Sequence, residues 1–564
     1  MVLMKTQIFD DVLKAVEALG IKPSPEEKKK MKIEYPDVSM GDFSSNAALI
    51  LSKASKTSPK QLAEKIVEKL AKDKFKSVEV AGPGFINFRL KDDALIPTLF
   101  DAHEPQPLSK KGEGKILVEY FQPNIAKPLH IGHLRTAVIG DAITRMLKYL
   151  GHDVESDTHM GDWGTQFGLL ILAYRKYGNE AEVSKDPITK LNEYYIKINK
   201  DAEDDPSVHE QGKAEFVKLE QGDPENRKIW KQFVDWSMEK FLKINPLMDI
   251  LPFDHHWPES FFEDKMPAVV GELKRKGLLV ESQGAQIVNL EEHGLGIAVI
   301  VKSDGGTTYL LRDLATFKFR KNEGFKKQLY VVDNRQSHHY FQLFAILKLM
   351  DEMVDGEATH IDYGFMSFKG KALSTRKGNM VLAEDVIEEA ESKVARIIEE
   401  KNPDLANKKD VIKSVSKGAL KYYDLSHNRH SDIDFDWNDA LDFNGNTGPY
   451  LQYTYARLSS ILRKVGEEAG KPATEMSETE HRLALEATRL QEAVEESVKD
   501  YLPNTLANYL YGLANLANKF YHESPVASEP NAGKKALRLA LVKKTRITLG
   551  QGLHLLGIRT LEEM

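Results

Sequence analysis

Apolar residues recur at helical spacing from the start of the chain. Ile8, Val12, Val16 and Leu19 share one helix face, and Gly20 is placed to end it. Ser58-Pro59 reads as a helix start, with Leu62, Ile66 and Leu70 on the buried side. The period then changes. Val78-Glu79-Val80 leads into a Gly-Pro-Gly turn at 82–84, and Ile86, Phe88 and Leu90 alternate as in a strand. Residues 1–108 therefore read as a small α+β module, and His103 to Gly114 as a linker. A βαβ pattern follows: a strand at Ile116 to Phe121, a helix at Leu134 to Leu150 closed by Gly151, and a second strand at Asp153 to Asp157. Another strand, Gln328 to Val332, comes after a long charged helical stretch at 176–280. That spacing predicts an α/β domain over 109–440, a Rossmann-like parallel sheet carrying helical insertions. Downstream of Leu382 the periodicity is helical, in segments at 384–400, 450–468, 480–498, 506–521 and 534–549. Residues 441–564 thus read as an all-α helical bundle.

Composition narrows the chemistry. At 564 residues the chain exceeds one ordinary domain, and 41% apolar residues suffice for packed cores. With no cysteine, disulfides, thiolate nucleophiles and sulfur-liganded zinc are excluded, so no protein-bound zinc or other metal site is expected. No run of about 18 apolar residues is present, and Lys5, Asp10, Asp11 and Lys14 interrupt the start, so no membrane span or secretory leader is expected and the cytoplasm is the default location. The net charge of −7 argues mildly against a nucleic-acid binder, so local charge has to be weighed.

The strongest chemical signal is the block Pro123-Asn124-Ile125-Ala126-Lys127-Pro128-Leu129-His130-Ile131-Gly132-His133, between a strand and a helix start. Two imidazoles three residues apart at a helix N-terminus face a ligand together. The free N–H groups and partial positive charge there suit phosphate. Gly132 lets a base or phosphate approach the backbone. Taken alone, His-x-x-His equally describes zinc ligands or solvated side chains; the strand–loop–helix setting favours the anion site.

His130-Ile131-Gly132-His133 resembles the HIGH signature of class I aminoacyl-tRNA synthetases, and the block 123–133 resembles the arginyl branch. So do Gly161-Asp162-Trp163-Gly164-Thr165-Gln166-Phe167-Gly168, the N-terminal stretches 41–48 and 82–87, and the terminal 555–562. Five matches in order span the chain nearly end to end. Leu373-Ser374-Thr375-Arg376-Lys377-Gly378-Asn379 occupies the place of the mobile KMSKS loop, with Ala372 and Thr375 where that signature has its first two lysines. The resemblance implies an enzyme that activates L-arginine with ATP, magnesium accompanying the phosphates, and transfers it to the 3′-terminal adenosine of tRNA(Arg). A carboxylate nucleophile is already ionised at pH 7, so the first step needs positioning and charge stabilisation rather than a base. The implied catalytic residues are His130, His133, Lys127, Arg376 and Lys377, Lys127 supplying the charge the loop lacks. His130, Gly132, His133, Ser374, Thr375 and Lys377 would hold ATP. Glu119 and Asp313 would take the guanidinium or α-amino group of arginine, Tyr309 would pack on it, and Asn124 and Gln336 would complete its subsite. Tyr309 and Asp313 lie four apart at a helix start, hence on one face.

A tRNA partner requires basic surface. Between Lys534 and Arg559 there are seven Lys or Arg residues and no acids. In isolation such a run is a solvated helix face. With the resemblance it becomes a phosphate contact, through Lys535, Arg538, Lys543 and Lys544, with Tyr453 and Arg457 offering stacking. The first module would meet the tRNA elbow. His255-His256 reads as structural, and a monomer is expected. A non-catalytic tRNA-binding paralogue would be expected to lose the HIGH histidines, and a small HxGH nucleotidyltransferase would not need the flanking domains.

Overall fold

Strand β1 (Lys115–Glu119) sits at the centre of the larger of two units into which the chain divides. Ile116, Leu117 and Val118 are buried on both faces, as a central parallel strand requires. The computed structural model describes residues 4–100, 112, 114–368, 381–466 and 470–564. Helix α1 (Ile131–Tyr149) returns the chain to β2 (Asp153–Asp157), and α2 (Thr165–Tyr177) follows. After the insertion, α3 (Tyr309–Asn322) leads into β3 (Phe325–Asp333), and β4 (Ala358–Tyr363) completes the sheet. The order is β4-β3-β1-β2 and every pairing is parallel. Register aligns Glu119 with Asp157 and Tyr330, and Asp333 with Tyr363. Because β2 and β3 flank β1, the crossovers leave in opposite directions and open a crevice at the C-terminal strand ends.

The insertion contains helices Pro187–Asp204, Ser207–Glu220 and Pro224–Phe241. It also holds a three-stranded antiparallel sheet, Val280–Ser282, Ala285–Asn289 and Ile297–Val301, that the helical reading of 176–280 stops short of. Val288, Ala298 and Ile300 of that sheet share a core with Leu314 of α3 and Leu343. Further on, Met366–Phe368 pairs in parallel with Ile433–Phe435. Helices Ala383–Lys401 and Lys408–Ser426 bury Val394, Ile398, Val411 and Val415 against each other.

The smaller unit joins the N-terminal module to Arg457–Ala493 and Gly512–Gly550, so residues 441–564 contribute to both units. The module is the anticipated α+β fold. Its antiparallel sheet is ordered Ile33–Glu34, Phe43–Ser45, Phe85–Leu90, Phe75–Ala81. Ser58 caps Pro59–Lys69 through its side chain, and Gly20 has φ 75°. The single helix expected at 480–498 is instead two, Glu478–Glu486 and Leu490–Lys499. Thr488 sits at the break and donates its hydroxyl to the Leu485 carbonyl, an alternative to the helical ladder.

Candidate active site

A cavity of about 470 Å³ opens over the C-terminal strand ends. Its wall contains eight of the residues singled out from the sequence: Glu119, Asn124, His130, Gly132, His133, Tyr309, Asp313 and Gln336. They come from the end of β1, the loop after it, the first turn of α1, the first turn of α3, and the turn after β3. Glu259, His159, Arg335 and His339 also line it.

The two motif histidines form the cap of α1. His130 is the N-cap residue, and its Nδ1 accepts the Gly132 N–H at 3.1 Å. His133 Nδ1 accepts the His130 N–H, also at 3.1 Å. Each Nδ1 is thereby fixed as an acceptor, which leaves the ring proton of the neutral form on Nε2. Burial holds both imidazoles below their ordinary pKa, and His133 is pushed down to about 3. Near neutral pH the helix start thus carries two uncharged N–H donors beside its own positive end.

Glu119, Glu259, Asp313 and Asp333 line the same cavity, and these carboxyl groups differ in their partners. Glu119 Oε2 and Asp157 Oδ2 each accept from Arg320 at 2.5 Å. Asp313 Oδ2 contacts His339 Nε2 at 2.5 Å, and His159 lies 3.7 Å from the other oxygen. Burial opposes both charges of the Asp313–His339 pair, but their hydrogen bond and the charge attraction around them together outweigh it, lowering the aspartate and raising the histidine. Asp333 is paired with Arg335 at 2.7 Å. Glu259 stands apart. It is buried, Arg312 approaches no closer than 3.4 Å, and its Oε2 has no hydrogen-bond partner among the described residues. Burial pushes its carboxyl up to about 8. Sequence reasoning passed over His339 and Glu259, whose setting in Pro258-Glu259-Ser260 carries no chemical signature.

The segment Gly161 to Gly168 is scaffold for this wall. Gly161 bridges Asn124, and a Cβ there would lie 2.2 Å from Asn124 Oδ1. Asp162 accepts from the Ser260 N–H and hydroxyl at 2.8 and 2.6 Å, which anchors the residue next to Glu259. His255 contacts Glu155 at 2.6 Å and stacks on Trp257, and His256 contacts Thr158 at 2.9 Å.

Lys127 is not among the described residues that line the cavity. It borders a neighbouring cleft with Gln166, its ammonium 5.5 Å from the centroid of the Tyr195 ring. Ser374, Thr375, Arg376 and Lys377 lie outside the described residues. The chain on either side of that segment borders the site, however. Met366 lines the cavity, and Leu382 bridges His130.

Comparison with known proteins decides the family. Residues 98–437 match the model "tRNA synthetases class I (R), catalytic domain". Residues 6–90 match "Arginyl tRNA synthetase N terminal domain", and 451–564 match "DALR anticodon binding domain". The chain is 40% identical over 539 residues to an arginine–tRNA ligase of Clostridium perfringens, covering 94% of this chain and 95% of that one. It is 41% identical to the arginine–tRNA ligase of Lactobacillus johnsonii, covering 96% and 97%. The chain belongs to the arginyl-tRNA synthetase family. Its fold is similar to that of Thermus thermophilus arginyl-tRNA synthetase, with a TM-score of 0.84, 26% identity and full coverage of both chains.

The synthetase's basic run lies on helix Ala532–Leu555, and its members differ in exposure. Lys543 is exposed and Lys544 and Lys535 are half-buried. Arg538 is spent within the fold, bonded to Glu480 at 2.7 Å and to Glu529 at 2.5 Å. Arg457 contacts Asn518 at 2.5 Å, and Tyr453 keeps 37% of its surface exposed. Among the described residues no helix is long and apolar enough to cross a membrane.

Proposed function

We infer that the cavity is where this family member joins arginine to ATP and then passes the arginyl group to tRNA(Arg). The carrying observation is the convergence, in one crevice, of two neutral imidazole N–H donors on a helix N-terminus and four acidic side chains, Glu119, Glu259, Asp313 and Asp333. The first arrangement fits phosphate and the second a guanidinium and an ammonium. In the first step a carboxylate oxygen of arginine attacks the α-phosphorus, and pyrophosphate leaves with the bond's electron pair. His130 and His133 donate through Nε2 to phosphate oxygens as charge develops, which is where fixed donors act most strongly. Magnesium enters on the nucleotide's phosphates as part of that substrate. In the second step a terminal ribose hydroxyl of tRNA attacks the arginyl carbonyl, its proton is released, and AMP departs.

Asp313 and Glu259 take the guanidinium in this reading, Glu119 takes the α-amino group, Tyr309 covers the guanidinium plane, and Asn124 and Gln336 hold the amino-acid end. Glu259 is included because its buried oxygen lacks a hydrogen-bonded partner, the state a cationic substrate corrects. Lys127 reaches the phosphates after leaving the Tyr195 ring, and Arg376 and Lys377 add positive charge there. Lys535, Lys543 and Lys544 contact tRNA phosphates, with Tyr453 stacking on a base; Arg538 supports the helix instead. The chain acts as a cytosolic monomer.

The test is ATP–pyrophosphate exchange with each of the twenty amino acids, with and without tRNA. Exchange confined to arginine is expected, and its appearance only when tRNA is added would show that tRNA completes the site. Exchange with another amino acid at comparable kcat/KM would overturn the reading. Lys127→Ala is expected to slow exchange by about 10²-fold, the scale of losing one charge-stabilising group; a near-normal rate would remove Lys127 from the mechanism.

A further inference from the structure

Arg320, in the last turn of α3, is fully buried beneath the cavity floor and does not line it. Its guanidinium spans two neighbouring strands, Nη1 to Glu119 Oε2 and Nη2 to Asp157 Oδ2, both at 2.5 Å. The register makes this possible, since Glu119 and Asp157 are direct partners across the β1–β2 pairing. Each carboxylate is also held at its other oxygen. Gln122 Nε2 donates to Glu119 Oε1 at 3.2 Å, and the Trp257 N–H donates to Asp157 Oδ1 at 2.9 Å. With His159 the two acids form a cluster whose ligand atoms lie within 4.8 Å of one another, a notch shaped for a cation. The cation that hydrogen-bonds both acids is a guanidinium of the protein itself.

We propose that Arg320 is a positioning residue for amino-acid selection: it fills the deep Glu119–Asp157 notch with the protein's own guanidinium, so that Glu119 presents one oriented oxygen to the cavity and the substrate's guanidinium is kept to the shallower subsite. The substrate carries the same planar, bidentate group that Arg320 does. Without Arg320 the two facing carboxylates repel each other, Glu119 loses its orientation, and arginine binds more weakly and out of line with the α-phosphate. A positioning error of about 1 Å is enough to cost a large fraction of the rate. The proposal rests on the reading that Glu119 belongs to the arginine subsite.

The test uses the full-length enzyme with Arg320→Ala, Arg320→Lys and Glu119→Gln, measuring KM for arginine and for ATP separately in tRNA charging. Arg320→Ala is expected to raise KM for arginine at least tenfold with KM for ATP changed less than twofold. Guanidinium chloride at a few millimolar should bring that KM back toward wild type by refilling the notch, while only inhibiting the wild-type enzyme. Arg320→Lys, a single-point cation that satisfies one acid at a time, should fall between. Equal rises in both KM values without guanidinium rescue would reduce Arg320 to scaffold and overturn the proposal. If Arg320→Ala does not fold, Arg320→Lys decides alone: a rise in KM for arginine and not for ATP supports the proposal, and an unchanged KM for arginine overturns it. Glu119→Gln separates the two layers. If it leaves KM for arginine unchanged, the subsite reading fails; if it raises KM and the Arg320 variants do not, only the proposal fails.

Discussion

At Glu259 burial has removed the solvent that would stabilise a carboxylate, and no hydrogen bond replaces it at Oε2. Its carboxyl, pushed up to about 8, is protonated in the empty site at pH 7. A bound guanidinium favours the ionised form, so arginine binding expels this proton. The sign follows: affinity for arginine rises with pH up to about 8 and levels off above it. Titration calorimetry at pH 7 in buffers of different ionisation enthalpy should detect release approaching one proton, lost in Glu259→Gln; a heat independent of the buffer would refute the assignment. His133 behaves in the opposite way. Held down to about 3, it stays neutral across the working range, so its donor role carries no pH dependence between 6 and 9. His133→Ala should lower the exchange rate by about 10²- to 10³-fold, the scale for one lost transition-state donor, with KM for arginine little altered.

At the scale of elements, the site depends on how closely helices and loops approach. Helix α2 packs on Ser207–Glu220 with Gly168 at the crossing, where an added Cβ would lie 2.0 Å from the Gly212 carbonyl oxygen. Backbone cannot yield as a flexible side chain does, so Gly168→Ala should destabilise the catalytic unit by about 1–3 kcal/mol, read as a shift in the denaturant midpoint. An unchanged midpoint would mean that the insertion helix is free to move. Arg135 plays a comparable part from inside α1. Fully buried, it pairs with Asp424 at 3.1 Å and donates to the Gly364 and Phe365 carbonyls, so the helix that starts at the HIGH motif also holds the chain just before 369–380. The sequence showed Arg135 only as the residue after His133-Leu134. Its partners, some 230 to 290 residues away, have no local trace.

At the scale of the whole molecule, the smaller unit contains its own ionic lock. His481 Nδ1 contacts Asp92 at 2.7 Å and its Nε2 contacts Asp42 at 3.1 Å, joining helix Glu478–Glu486 to the N-terminal module within that unit. Burial alone would lower this imidazole, but the two aspartates outweigh it and hold the pKa above its ordinary value. A raised folded-state pKa stabilises the protonated form. That stability is complete below the unfolded value of about 6.5 and is lost as pH rises through the folded value. The unfolding midpoint of the wild-type chain should therefore fall more steeply than that of His481→Gln as pH rises above about 6.5. Parallel pH profiles would show that the lock contributes nothing.

The sequence by itself determined what depends on local rules. Period-2 and period-3.6 patterns, Ser58 before Pro59, Gly20 after its helix and the strand–loop–helix setting of the HIGH block are short-range physics, and they located most elements and eight cavity residues. Tertiary structure decided the rest. That Glu119 stands beside Asp157, where Arg320 bridges both, follows from strand register, and that Glu259 Oε2 has no hydrogen-bond partner among the described residues is decided by the packing around it. Lys127 rests on Tyr195 because of the insertion's packing, and Arg538 is spent on Glu480 and Glu529 because of the fold around its helix. A charge announces itself in a sequence, but its partner and its solvent exposure are properties of the folded chain.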